Sequence, residues 1–253
     1  MMNNNWTREE SILALAMYFE LPFGCLHKAN KKIIELANFI KRTPSSVSMK
    51  LCNFARFDPE LAKRGISGLK NGSRLDEKIW NEFFQNTEAL LEEVEKINGA
   101  IDIILTNRDA EIGIPQGAEG VALTKFRRGQ TFFRNTVLSA YNYTCCITGI
   151  DLPKLLQASH IKEWKDSDPT TERNNPSNGL CLNYLHHKAF DSGYITIDED
   201  YKIVISKQIK EHLTKDIFKE LFQKFEGALI KLPHRFLPDK TLIRYHNTHV
   251  FDK

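Results

Sequence analysis

The sequence predicts an α+β fold, a helical N-terminal part followed by a mixed domain, on three observations. Helix-start signals recur ahead of apolar stripes at helical spacing over residues 7–56; a stretch bearing glycine and proline, 98–120, interrupts that pattern; and two apolar runs flank an acidic turn at 194–205. These place a helical module with a spacer helix at 1–97, a linker at 98–120 and a second domain at 121–253.

The first helix opens at Thr7, whose hydroxyl can cap, with Glu10 three residues on to complete a capping box, and its apolar residues run from Ile12 to Phe19. A second helix starts after Asn30, with Ile33, Leu36, Ala37 and Ile40 on its stripe. A third starts at Thr43-Pro44, where the threonine caps and proline takes the first helical position, at which no amide donor is missed. Two short helices joined by about three residues read as a helix-turn-helix unit. In that unit Ser45, Ser46 and Lys50 are the candidates to touch DNA, since hydroxyls and cations near a helix N-terminus suit phosphates and base edges; the alternative is a packing unit with no DNA contact. Residues 58–74 read as a loop, Leu75 to Ile97 as one spacer helix, and Gly129 to Tyr141 as a basic helix in which Arg134 serves either phosphate or a carboxylate. After the hairpin, 206–225 reads as helix and the tail to His246 as irregular.

Charge narrows the class of partner. Lys28 to Arg74 holds eleven Lys or Arg against three acids, whereas Leu75 to Gly120 holds three against eleven, although the whole chain is only +3. A basic block in a small helical unit points to a polyanion or to a solvated face. No apolar run approaches the roughly 18 residues that span a bilayer, and the start lacks the basic flank and apolar core of a signal peptide, so no membrane partner is expected and the cytoplasm is the expected compartment. Five cysteines, an odd number without framework spacing, fit reduced thiols.

The functional information lies between Cys145 and Asp191. The stretch reads Cys145-Cys146-Ile147-Thr148-Gly149, Ala158-Ser159-His160-Ile161, Asn178-Gly179-Leu180-Cys181-Leu182 and His187-Lys188-Ala189-Phe190-Asp191. It resembles the HNH endonuclease family, in its restriction-type branch, from Phe126 to about Ser206. The resemblance implies a ββα-metal fold, a hairpin and helix around one divalent ion, with strands ending at His160 and running from Asn178, and a helix from Asn183 to Phe190.

Carried over residue by residue, the resemblance makes His160 the general base, Asn178 the residue that fixes the loop presenting it, and His187 a metal ligand. Asp191, one helical turn after His187, either joins it on the ion or caps the Ser192-Gly193 turn. Phosphodiester hydrolysis needs both functions, a base for water and a cation for the developing charge. A shell poor in nitrogen and thiolate favours Mg2+, with Mn2+ as a second fit. Many family members carry an acid or histidine directly before the base, where this chain has Ser159. Many also carry two Cys-x-x-Cys pairs for structural zinc, where this chain has Cys145, Thr148, Asn183 and His186, so structural zinc is not expected and the cysteines are read as core thiols. Lys162, Lys165 and Arg173, between the motif strands, are candidates for the phosphate backbone or plain surface charge.

The reading is a metal-dependent DNA endonuclease, with restriction or phage defence implied by the family branch. A homodimer or successive nicks would serve double-strand cutting. The competing reading is a DNA-binding regulator whose HNH fold has lost catalysis, which the serine at position 159 keeps open.

Overall fold

The computed structural model describes residues 5–65, 73–97, 99–104 and 118–251. Its helices are α1 (Arg8–Glu20), α2 (Lys31–Phe39), α3 (Pro44–Ala55), α4 (Pro59–Lys63), α5 (Arg74–Phe83), α6 (Thr87–Lys96), α7 (Ala100–Ile104), α8 (Ala118–Ala140), α9 (Tyr184–Asp191), α10 (Lys207–Glu211), α11 (Asp216–Leu221) and α12 (Lys240–His249). Its strands are β1 (Leu156–His160), β2 (Gly179–Asn183), β3 (Ile195–Ile197) and β4 (Ile203–Ile205). The chain is α+β, and no helix among the described residues is long and apolar enough to cross a membrane. It divides into two compact units, one of residues 1–139 with 169–175, the other of 140–168 with 176–253. Most of the expected linker, at 98 and 105–117, lies outside the described residues.

The first unit is built around α1. Every residue from Ser11 to Glu20 is buried, and α2, α3, α5, α6 and α7 all pack on it. A helix apolar nearly all round belongs in the middle of a core, which is what Ile12 to Phe19 encodes. The capping box is present: Thr7 Oγ1 accepts from the Glu10 amide at 3.2 Å and the Glu10 carboxylate accepts from the Thr7 amide at 2.8 Å. Asn30 and Thr43 cap α2 and α3, and Pro44 takes the first position of α3.

The expected spacer helix at 75–97 is corrected in both form and place. It is two helices, α5 and α6, parted at Asn86, whose side chain caps α6. Neither is a spacer, because Ile79, Trp80, Phe83, Leu90, Leu91 and Val94 are all buried and Trp80 meets Phe19 edge-on with ring centroids 6.1 Å apart. The acids between those positions form the outer face. A short α4, capped by Asp58, also interrupts the loop expected at 58–74.

In the second unit β1 and β2 pair antiparallel, Leu156 opposite Asn183 and His160 opposite Gly179, and α9 follows β2 directly. β3 and β4 form the hairpin expected at 194–205. The single helix expected at 206–225 is instead α10, α11 and a 3-10 turn at Gln223–Phe225, because the backbone turns at His212 and is extended at Lys215. The irregular tail is also corrected: Asp239 caps α12, and Leu242, Ile243 and His246 form its buried face. α12 packs on β3, and its His246 ring stacks on Phe190 of α9 with centroids 3.8 Å apart.

Candidate active site

The site is assembled where β1 ends and α9 passes. His160 is the last residue of β1, half-buried, its ring edge-on to Trp164 with centroids 5.9 Å apart. The chain leaving it is held by Asn178, which is wholly buried. Asn178 Oδ1 accepts from the Lys162 amide at 2.8 Å, and its Nδ2 donates to the Lys162 carbonyl at 3.1 Å and to Ser167 Oγ at 3.2 Å. One side-chain amide thereby grips both backbone groups of a residue two positions after His160, and the Ile161 amide donates to the Asn178 carbonyl at 2.9 Å. Burial keeps water from competing for these bonds.

α9 contributes His187 and Asp191, spaced i to i+4 and therefore on one face. His187 Nε2 lies 3.4 Å from Asp191 Oδ2. Ser159, buried on β1 next to His160, joins the pair: its Oγ is 3.0 Å from Asp191 Oδ1 and 3.0 Å from His187 Nδ1. Burial pushes the Asp191 carboxyl up from its ordinary value, against the pull of His187 and the Ser159 hydrogen bond. One imidazole nitrogen and one carboxylate oxygen are a donor set that Mg2+ or Mn2+ accepts, since these ions keep several waters and take substrate oxygens for the rest. Among the described residues no group of three or more His, Cys, Asp or Glu side chains is placed to hold an ion.

Cys145, Thr148, Asn183 and His186 form a hydrogen-bonded cluster. Cys145 Sγ accepts from the amides of Asn183 at 3.3 Å and Thr148 at 3.5 Å, and Asn183 Nδ2 donates to Thr148 Oγ1 at 3.2 Å. Asn183 Oδ1 caps α9 by accepting from the His186 amide at 2.9 Å, and His186 Nε2 donates to the Leu221 carbonyl at 2.9 Å. Burial draws the His186 pKa below its ordinary value. Cys145, Cys146 and Cys181 are free and buried, and burial raises the Cys146 thiol well above its ordinary pKa, so it stays protonated and unreactive.

Of the residues expected on DNA, Ser45 is exposed and Ser46, Arg134, Lys162 and Arg173 are half-buried. Lys162 Nζ lies over the Tyr245 ring, 5.1 Å from its centroid. Lys50 is withdrawn as a DNA contact. It is 3 % exposed, 2.5 Å from the buried Asp76 carboxylate, and its Nζ lies 4.6 Å from the centroid of the Trp6 ring. Arg173 falls in the segment that belongs to the first unit, whereas Lys162 belongs to the second.

Sequence reasoning passed over Ser159 as a weak ligand and so missed its bonds to both α9 side chains. The available signal is a hydroxyl directly before the candidate base. It also missed α12, signalled by Asp239 ahead of Leu242, Ile243 and His246, and with it Tyr245 beneath Lys162.

An antiparallel hairpin running into a helix, with one histidine at the strand end and another on the helix, defines a ββα domain. Residues 145–198 match the family model described as HNH endonuclease. Among solved structures the chain is similar to one described as a modification-dependent TagI restriction endonuclease, at 24% identity and a TM-score of 0.35, over 47% of this chain and 37% of that one. The chain thus spans well under half of that protein's length. No curated protein matches it.

Proposed function

We propose that the chain is a metal-dependent DNA endonuclease whose second unit hydrolyses the phosphodiester and whose first unit adds DNA contacts. The observation that carries this reading is the double grip of Asn178 on Lys162, which fixes the path of the chain leaving His160 beside the Ser159–His187–Asp191 cluster. His160 acts as general base, taking the proton of the attacking water. Asn178 holds the loop so that the imidazole is not displaced by substrate. His187 and Asp191 would hold one divalent ion, Mg2+ in the first place and Mn2+ as the alternative. When bound, that ion supplies positive charge for the phosphate and the leaving oxygen. Lys162 meets the phosphate backbone near the site, with Arg134 and Arg173 as further cationic contacts of the first unit. Ser45 and Ser46, at the start of α3, meet DNA in a helix-turn-helix arrangement of α2 and α3. Restriction or phage defence is the biological setting proposed.

The test is cleavage of supercoiled plasmid and of modified phage DNA with Mg2+, Mn2+ or EDTA, comparing wild type with His160→Ala. Metal-dependent nicking or cutting that falls by about 10²–10⁴-fold in the variant is the expected result. Folded wild type that binds DNA but leaves every substrate intact with each metal moves the regulator reading ahead.

A further inference from the structure

Ser159 has a single proton and two lone pairs, and it lies between two partners. Its Oγ is 3.0 Å from Asp191 Oδ1, which as a carboxylate can only accept, so the hydroxyl proton goes there. Its second neighbour, His187 Nδ1 at 3.0 Å, must then be the donor. That assignment leaves Nε2 of a neutral His187 without a proton, its lone pair 3.4 Å from Asp191 Oδ2. At that separation the two atoms are placed to share one cation between them, a divalent ion or, without one, a proton. Ser159 is itself wholly buried, so no bulk water replaces its hydroxyl.

We infer that Ser159 is a positioning residue that sets the tautomer of His187 and aims its Nε2, together with Asp191 Oδ2, at one divalent cation. The serine therefore substitutes for an acidic ligand by orienting the two ligands on α9 rather than by touching the ion. A hydrogen-bonding partner of this kind behind a ligand fixes its ring angle and raises its basicity. The inference rests on the proposed metal site and adds to it how that site is formed from only two protein donors.

Nitrogen NMR of 15N-histidine-labelled, metal-free protein reads the tautomer, and calorimetric titration with Mn2+ reads the affinity; neither requires cleavage. Wild type is expected to carry the His187 proton on Nδ1 and to bind one Mn2+. Ser159→Ala is expected to shift that proton to Nε2, facing Asp191, and to weaken Mn2+ binding by about tenfold to a hundredfold. Ser159→Cys, close in size but a poor hydrogen-bond partner, is expected to do the same and replaces the alanine variant if that one does not fold. Wild-type affinity in the folded variants overturns the positioning role, whatever the tautomer, and leaves the His187–Asp191 pair standing. Wild type that takes up no Mn2+ overturns that pair as a metal site, and this inference with it.

Discussion

His186 and His187 are neighbours in sequence and opposites in circumstance. His186 is 2 % exposed, bonded to the Leu221 carbonyl and packed edge-on against Phe225, with Asn183 capping its amide. His187 is half-exposed and bonded to Ser159, with its other nitrogen turned toward Asp191. A helix turns about 100° per residue, so adjacent positions must look in different directions. On one side of α9 the polar groups are consumed by each other and by the backbone; on the other, donor capacity is left over. That leftover capacity lies beside the strand-end histidine, on the side proposed for the chemistry, and residue type alone does not separate the two rings.

The largest expected effect breaks this contrast from the open side. His187→Ala should lower metal-dependent cleavage by on the order of 10²–10³-fold with little change in thermal stability, read by plasmid nicking beside a melting curve. Loss of stability with cleavage per folded molecule intact would assign His187 to the core instead. The closed side should answer the other way. His186→Ala leaves the Leu221 carbonyl unpaired and should cost about 1–3 kcal/mol in urea unfolding, while the folded fraction cuts normally.

The first unit offers a sharper version of the same distinction. Lys50 and Asp76 are a consumed pair, so Lys50→Met strands a buried carboxylate and should cost about 3–5 kcal/mol, with DNA affinity of the folded fraction unchanged. A weakened salt dependence of DNA binding at unchanged stability would return Lys50 to the DNA surface.

The remaining effect comes from pH. Burial lowers the His246 pKa to about 4, opposed by its bond to the Phe190 carbonyl and the charge of Glu163. The unfolded chain takes up a proton near pH 6.5 that the folded chain refuses until about 4, so this contribution is complete above pH 6.5 and is lost as pH falls. Stability should drop by about 3 kcal/mol between pH 6.5 and 4, and His246→Gln should flatten that part of the profile. An equally steep fall in the variant would place the acid sensitivity elsewhere.

Much of this was legible because it is local. Thr7, Asn30 and Thr43 cap the helices they announce, and the resemblance carried by His160, Asn178 and His187 implies a hairpin-helix whose strands and helix lie where expected. What was not legible depends on partners far along the chain. Lys50 reads as a surface cation until Asp76 arrives 26 residues later to neutralise it in the core. Residues 75–97 read as one spacer helix because its apolar positions name no partner, while the surface that α5 and α6 cover belongs to α1. Ser159 reads as a poor ligand, and its bonds to His187 and Asp191, 28 and 32 residues later, appear only in the fold.

The ring of His246 has a consequence for the order of synthesis. It donates from Nε2 to the carbonyl of Phe190, 56 residues upstream, and lies flat against that ring, on the helix that carries His187 and Asp191. A chain leaving the ribosome therefore exposes every residue of the proposed cleavage site well before the brace for α9 has been translated. For that interval the nascent chain holds the parts without the support, so cleavage competence should mature only after α12 has emerged and docked.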